Sequence, residues 1–222
     1  MIFQTDFFGD PNVGIFGVAN DKFCLIGEFV PQRDKIERSL EVKVLKISIA
    51  NTNFVGIFCA MNSNGIILPC ITLKREIEKV KKICKEFSMN LCILKTKYTA
   101  LGNLIVCNDR GAIISKVFTK NQKKEIEECL DVEVVYGELA GLNIIGSCSE
   151  ATNRGCLLHR DASEDEIERF EDVLKVKCDV GTVNFGSPFV SSGIIANSNG
   201  AIVGNKTTGP EIARIMEVFE LL

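Results

Sequence analysis

The segment CNDRGAII, residues 107–114, contains side chains that could form a nucleophilic active site. Cys107 would supply the thiol, and Asp109 and Arg110 would supply a carboxylate and a guanidinium beside it. A cysteine becomes a nucleophile only as the thiolate, which requires a neighbouring base or an electropositive pocket. The repeats described below place Ala or Met at the position of Cys107. We therefore interpret Cys107 as a packing residue and predict no catalytic residue.

His159 is the only histidine of the chain, which limits the metal chemistry that the sequence can support. A site with several histidine ligands is excluded, and the ten cysteines include no Cys-x-x-Cys pair. A general base at His159 would need a nucleophile and a carboxylate brought alongside it. The segment GAIVGNKTT lacks the spacing of a phosphate-binding loop. We predict no cofactor and no metal, and a surface or strand-end position for His159.

The composition is that of a protein able to bury a core, with 46% apolar residues in a chain of 222. Lys and Arg number 26 and Asp and Glu number 29, which gives a net charge of −3. This balance argues against a protein that binds naked nucleic acid by neutralising many phosphates. We therefore expect it to contact an RNA-rich partner mainly through that partner's proteins. Most cysteines stand in apolar runs, which suits a reducing compartment. With no export signal and no membrane span expected, we predict a cytoplasmic protein.

The elements that must position these residues come from a fivefold internal repeat. Each copy consists of an apolar segment, a polar turn such as Asn-Asp-Arg-Gly and a second apolar segment, which is the pattern of a β-hairpin. A period of about 45 residues marks a repeat architecture. The copies are VGIFGVANDKFCLI from Val13, VGIFCAMNSNGIIL from Val55, LGNLIVCNDRGAII from Leu101, IGSCSEATNRGCLL from Ile145 and VSSGIIANSNGAIV from Val190.

A helix follows each hairpin, and in most copies a closing strand follows the helix, so the unit is ββαβ. The fifth copy ends with its helix, and we expect residues 1–9 to supply the missing strand and close a ring. The sequence thus predicts one α/β domain, a closed propeller of repeats at 13–54, 55–100, 101–144, 145–189 and 190–222. Three helix starts have capping-box spacing: Thr119 with Gln122, Ser163 with Glu166, and Thr208 with Glu211.

Four segments resemble signature segments of the translation initiation factor 6 family, the ribosome anti-association factor of archaea and eukaryotes. They are ALGNLIVCNDRGAII, VGTVNFGS, VGIFCAMNSNGIILP and KISIANTNFVG. The resemblance covers essentially the whole chain. It implies the pentein fold, in which five ββαβ units surround a pseudo-fivefold axis. The chain ends at Leu222 without a polar tail, so an archaeal-type member is expected.

The resemblance also implies a function without catalysis. The family binds the intersubunit face of the large ribosomal subunit, at ribosomal proteins near the sarcin-ricin loop, and prevents joining of the small subunit. A role in large-subunit maturation is implied as well. Release is expected from a GTPase resembling elongation factor 2 together with a Shwachman-Diamond-type protein. A closed ring would be a monomer in the simplest case.

Two alternatives belong to other functional classes. Pentein enzymes that modify guanidine groups, such as deiminases and amidinotransferases, use a cysteine late in the chain together with a histidine. No cysteine follows Cys178 here, which weighs against that class. The other alternative is a protein-interaction ring unconnected with the ribosome.

The hairpin turns are our candidates for the ribosome-binding surface, because they gather amides and charges that we expect to protrude from one face. Asn108 and Asp109 are the first candidates, since they lie in the segment most similar to the family. Each of these residues could also serve only to shape its turn. The full set is Asn62, Asn64, Asn108, Asp109, Arg110, Asn153, Arg154, Asn197 and Asn199.

Overall fold

Fifteen strands form five separate three-stranded sheets in the computed structural model, which describes residues 1–221. Leu222, the last residue of the predicted fifth repeat, lies outside the described residues. The strands are β1 (Ile2–Thr5), β2 (Gly17–Ala19), β3 (Phe23–Gly27), β4 (Lys43–Ile47), β5 (Ala60–Met61), β6 (Gly65–Pro69), β7 (Asn90–Leu94), β8 (Ile105–Cys107), β9 (Gly111–Ser115), β10 (Glu133–Gly137), β11 (Ser149–Ala151), β12 (Gly155–His159), β13 (Lys177–Gly181), β14 (Ile194–Ala196) and β15 (Ala201–Gly204).

All five sheets have the same topology. Two strands form an antiparallel hairpin, and a third strand pairs in parallel with the second strand of that hairpin. In the fifth sheet the order is β1-β15-β14, so the third strand comes from the other end of the chain. Ile2 lies opposite Ala201 in this parallel pair, and the amino group of Met1 donates to the carbonyl oxygen of Asn199 at 2.9 Å.

Seven α-helices accompany the sheets within residues 1–221, and two of them are single turns. Two of the three predicted capping boxes, at Thr119 and Ser163, have both reciprocal hydrogen bonds. At Thr208 the backbone N–H and the hydroxyl both donate to the Glu211 carboxylate. The helices are α1 (Arg33–Leu40), α2 (Val55–Phe58), α3 (Lys74–Phe87), α4 (Lys120–Leu130), α5 (Ile145–Cys148), α6 (Glu164–Leu174) and α7 (Gly209–Val218). None of them is long and apolar enough to cross a bilayer.

The longer helices join neighbouring sheets. α4 contacts β6 and β7 of the preceding sheet as well as β10 of its own, and α6 contacts β9, β10 and β13 in the same manner. α1 contacts β15 and β4, so it joins the fifth sheet to the first. Its buried Ile36 and Leu40 pack in one cluster with Ile202 of the fifth sheet and Ile26 of the first. The apolar core is therefore shared between consecutive repeats.

The start of each copy differs from the sequence prediction. The repeat pattern predicts strand from its first residue, but the first three or four residues form a short helical turn. We call these five segments the inner turns. They comprise α2, α5 and three 3₁₀ turns at Val13–Phe16, Leu101–Asn103 and Val190–Gly193.

The inner turns contact one another in cyclic order, and the last also contacts the first. Their glycines permit this approach, because a Cβ atom on Gly56 would overlap the carbonyl oxygen of Gly14. A Cβ on Gly102 would overlap the carbonyl oxygen of Gly56 in the same way. Gly146 repeats the relationship with Gly102, whereas Ser191 carries a side chain at this position.

Candidate functional site

The hairpin turns meet at one end of the molecule, and their first residues shape them. In the third copy, Asn108 Oδ1 accepts hydrogen bonds from the backbone N–H groups of Arg110 at 2.9 Å and Gly111 at 3.1 Å. Such a side-chain to backbone bond mimics a further turn of the chain, which explains why Asn is favoured there. The equivalent residues are Asn20, Asn62, Thr152 and Asn197, and each accepts the same pair of bonds.

The amides of these asparagines also tie each turn to the next. Asn20 donates to the carbonyl oxygen of Asn62 at 2.9 Å, and Asn62 donates to that of Asn108 at 3.1 Å. Asn108 donates to the carbonyl oxygen of Thr152, and Asn197 donates to that of Asn20. Thr152 has no amide to continue the series towards Asn197. Four of the five junctions are therefore bridged by a side-chain amide.

The prediction that Asn62, Asn108 and Asn197 protrude is wrong. Their exposed fractions are 2%, 4% and 2%. Each amide nitrogen makes a second bond to the carboxyl end of a helix in the following copy, as Asn108 does with the carbonyl oxygen of Leu174 at 2.8 Å. All the hydrogen-bonding capacity of these side chains is thus used inside the protein, so they cannot offer an amide to a partner.

The third residues of the turns are at the surface, and their side chains cap helices. Arg110 and Arg154 are exposed, and their guanidinium groups donate to the carbonyl oxygens of Lys175 at 2.6 Å and Glu220 at 3.1 Å. Carbonyl groups at a helix end lack partners within the helix and attract cations. Asn64 and Asn199 are partly buried and make equivalent bonds to the carbonyl oxygens of Leu130 and Leu40.

The second residues of the turns form a network around the centre of this end. One amide nitrogen, Nδ2 of Asn153, donates to Asp21 Oδ2 at 2.8 Å and to Asp109 Oδ2 at 2.7 Å. The backbone N–H of Ser63 donates to Asp109 Oδ1, and that of Ser198 donates to Asp21 Oδ1. Asp21, Asp109 and Asn153 are partly exposed around a small cavity of about 20 Å³.

We call this end the turn face, defined by residues 20–23, 62–65, 108–111, 152–155 and 197–200. The carboxylates of Asp21 and Asp109 lie at its centre. Lys22, Arg110 and Arg154 are exposed residues of the same turns. The structure therefore brings Asp109, Arg110, Asn153 and Arg154 together at one surface. Asp21 and Lys22 also belong to it, and the alignment of the first copy with the others could have identified them.

Cys107 lines a second cavity of about 60 Å³, which is lined by β2, β5, β8 and β11 and by the inner turns. Burial raises the pKa of its thiol, and the nearby carboxylate of Asp109 raises it further. The thiol donates a hydrogen bond to the carbonyl oxygen of Met61 at 3.3 Å. A thiol in this environment stays protonated, which disfavours nucleophilic chemistry.

Glu150 lines the same cavity and was not identified from the sequence. It occupies a strand position where the other copies have Val18, Ala60, Val106 and Ile195. Burial raises the pKa of its carboxyl to about 8, although hydrogen bonds from the Ser191 hydroxyl and the Ala196 backbone oppose that rise. A comparison of the copies at this position would have revealed the exceptional carboxylate.

The raised pKa of Glu150 predicts a pH-dependent stability. The folded state keeps the proton to about pH 8, whereas the unfolded chain loses it near pH 4.5. The contribution of the protonated Glu150 carboxyl to the free energy of unfolding is fully present below pH 4.5 and is lost as the pH rises towards 8. Each pKa unit corresponds to about 1.4 kcal/mol. Between pH 5 and 8 we expect the free energy of unfolding of the wild type to fall by a few kcal/mol relative to Glu150→Gln.

Guanidinium denaturation of both proteins at pH 5, 6.5 and 8 measures this difference. Glu168→Gln is the control, because Glu168 is an exposed carboxylate on α6. If the wild type and Glu150→Gln change in parallel with pH, the predicted titration of Glu150 is wrong.

His159 lies at the end of β12, which agrees with the predicted strand-end position. Its side chain is not at the surface, because only 6% of it is exposed. Its Nδ1 accepts a hydrogen bond from the backbone N–H of Asp161 at 3.2 Å, and its ring meets that of Phe189 edge to face. The imidazole is therefore a packing group. Among residues 1–221, no cluster of three or more His, Cys, Asp or Glu side chains has the arrangement of a metal site.

Comparison with known proteins gives a match along almost the whole chain. A family model described as the eIF-6 family matches residues 2–218. Translation initiation factor 6 of Pyrococcus horikoshii is 42% identical over 220 residues, which cover 97% of each protein. The proteins of the same name from Methanocaldococcus jannaschii and Pyrobaculum aerophilum are 39% identical over 227 residues and 34% identical over 214 residues. The first alignment covers 100% of this chain and 99% of the Methanocaldococcus jannaschii protein. The second covers 96% of this chain and 96% of the Pyrobaculum aerophilum protein.

Proposed function

The chain belongs to the eIF-6 family of translation initiation factors, and from this premise we propose that it binds the large ribosomal subunit and prevents association with the small subunit. The observation that carries the proposal is the family match, which spans residues 2–218. The protein acts by occupying the intersubunit face, in the cytoplasm, and it also takes part in large-subunit maturation.

The same proposal includes the finer architecture. The chain is a single domain, a closed pseudo-fivefold propeller of the pentein type, with the five repeats given above. Support comes from the cyclic contacts of the inner turns and from α1, which joins the fifth sheet to the first. Pairing of β1 with β15 also supports closure. In such a ring every inner turn has a neighbour on both sides within the same chain, so a monomer is the proposed state.

We propose the turn face as the docking surface, with its contacts assigned to exposed and partly exposed groups. Arg110, Arg154 and Lys22 offer cations at its edge, and Asp21 and Asp109 offer carboxylates at its centre. A surface with both signs of charge fixes the orientation of a partner and speeds its association. The buried Asn62, Asn108 and Asn197 would act by holding the turns in position.

The partners proposed for this cycle are ribosomal proteins near the sarcin-ricin loop. A GTPase resembling elongation factor 2 and a Shwachman-Diamond-type protein would release the factor. A guanidine-modifying enzyme is the less favoured alternative, because Cys107 is held as a protonated thiol and the only histidine, His159, is a buried packing group. We therefore propose action without catalysis.

Cosedimentation with purified ribosomal subunits tests the proposed function. The protein should sediment with the large subunit and not with the small one, and it should reduce the formation of joined ribosomes. Absence of large-subunit binding would contradict the proposal. Turnover of free arginine or agmatine would instead favour the enzyme alternative.

The docking surface has its own prediction. Arg110→Ala combined with Arg154→Ala should weaken large-subunit binding at least about tenfold, or about 1.4 kcal/mol, because two exposed cations are removed from the turn face. Arg38→Ala combined with Arg169→Ala is the matched control. Both arginines are exposed and donate to backbone carbonyl oxygens, but neither belongs to the turn face.

Binding constants from cosedimentation at several protein concentrations check the difference. Thermal unfolding of both double variants shows whether the loss of the hydrogen bonds from the arginines to backbone carbonyl oxygens destabilises the protein enough to explain weaker binding. If the two variants bind equally well, the turn face is the wrong surface, even if the wild type binds the large subunit.

A further inference from the structure

Charge is distributed very unevenly along this acidic chain. Residues 71–124 contain thirteen basic and four acidic residues, although the whole chain has a net charge of −3. Residues 125–172 contain fourteen acidic and three basic residues. Charges needed only for solubility do not require such a separation of signs. Separated charges create a directed electrostatic field, which suits a charged partner.

The outward side of α3 carries the basic part of this pattern. Val80, Ile83 and Cys84 face the core, and the exposed side presents Lys74, Lys82 and Lys85 along one stripe. At 1.5 Å per residue, the stripe spans about 16 Å between Lys74 and Lys85.

One acidic residue, Glu78, lies within this stripe, but no acidic residue of α3 pairs with its lysines. Glu76 is buried and accepts the backbone N–H groups of Ala50 and Asn51 at 2.8 Å. Glu78 pairs with Lys81, and Glu86 pairs with Lys43. Within residues 1–221, no carboxylate lies in ion-pair range of Lys74, Lys82 or Lys85. Their charges face solvent.

The basic surface continues from α3 to the start of α4. Both helices contact β7, so they are neighbours on the outside of the molecule. Gln122 in the first turn of α4 donates to the carbonyl oxygen of Lys95 at 2.9 Å, which joins the segment after β7 to the start of α4. Lys95 and Lys120, one on each side of this junction, are both exposed. We call Lys74, Lys82, Lys85, Lys95 and Lys120 the basic band.

We propose that the basic band binds the phosphate backbone of structured RNA. The inference rests on the proposed function, since RNA of the large subunit would be the occupant. Lysine is depleted in protein–protein interfaces, whereas phosphate groups are bound by such compact, hydrated cations. Sequence-independent contact with phosphates positions a protein on RNA without reading its bases. The low net charge of the chain conceals this local surface.

A direct test uses a fluorescently labelled RNA duplex of 20 base pairs and fluorescence anisotropy at 50 to 200 mM salt. The variant is Lys74→Gln, Lys82→Gln and Lys85→Gln combined. The control is Lys35→Gln, Lys177→Gln and Lys206→Gln combined, which removes the same charge from exposed positions outside the band. The wild type and the control should bind at 50 mM salt. The variant should bind at least tenfold more weakly, and its binding should depend less steeply on salt.

The slope of log affinity against log salt should fall by about 0.7–0.9 for each phosphate that the variant no longer binds. Equal binding by the variant and the control, or no binding of RNA by the wild type at 50 mM salt, overturns the inference.

Cosedimentation of the same proteins with large subunits separates the two proposals. If all three bind subunits equally at every salt concentration, the basic band is not used there, and the proposed function still stands. If none binds subunits, the proposed function fails, and the anisotropy still reports on the band.

Discussion

Replacing Gly102 with alanine is expected to lower the free energy of unfolding by about 3 kcal/mol or more, the upper end of the cost of overpacking a core. The new Cβ atom would overlap the carbonyl oxygen of Gly56 and lie 3.0 Å from that of Cys59. Both obstacles are backbone atoms of the preceding copy, so no side-chain rotation can relieve the overlap. The two inner turns would have to separate, and the core between them would pack less tightly.

Chemical denaturation of the wild type and Gly102→Ala measures the destabilisation. Gly209→Ala is the matched control, because a Cβ atom on Gly209 meets nothing within 4 Å. Gly209 is the first residue of α7, where alanine is the better helix former, so this variant should be neutral or more stable by up to about 1 kcal/mol. A stability of Gly102→Ala within 0.5 kcal/mol of the wild type, roughly the effect of a surface substitution, would contradict the close packing of the inner turns.

Replacing Asn108 with alanine is expected to cost roughly 3–5 kcal/mol of stability, since buried polar groups without partners are expensive. Two backbone N–H groups, of Arg110 and Gly111, would lose their acceptor. The carbonyl oxygens of Thr152 and Leu174 would lose their donor. One substitution would thus weaken the turn itself and its junction with the next copy.

Equilibrium unfolding measures this effect, with Asn143→Ala as the control at an exposed asparagine. The control should stay within about 0.5 kcal/mol of the wild type. Large-subunit binding by folded Asn108→Ala distinguishes a structural role from a docking role. If stability is unchanged and binding is abolished, Asn108 contacts the partner directly, contrary to the buried position described above.

Local sequence patterns predicted the local elements well. The turn Asn-Asp-Arg-Gly joins β8 to β9 as predicted, but none of its residues has a positive φ. Gly111 is needed instead because a Cβ atom there would overlap the carbonyl oxygen of Val173. α6 begins directly after Ser163, where the capping box with Glu166 was predicted. Both signals act over four residues, so a single sequence is enough to detect them.

Contacts between copies could not be predicted in the same way. The polar turn residues suggested exposure, but Asn108 finds its partners 44 and 66 residues away, at Thr152 and Leu174. The inner turns were predicted as strand because apolar residues suit either state over so short a segment. Glu150 and Ser191 both line the cavity that contains Cys107, and only the three-dimensional arrangement brings them together.

The pairing of β1 with β15 has a consequence for synthesis of the chain. β1 leaves the ribosome first, and its partner is made only after about 200 more residues, or roughly 10 to 40 seconds at 5–20 residues per second. Throughout that time the first strand has no sheet to join, and its unpaired edge is open to other chains. The fifth sheet can therefore form only after its hairpin, near the end of the chain, has been synthesised.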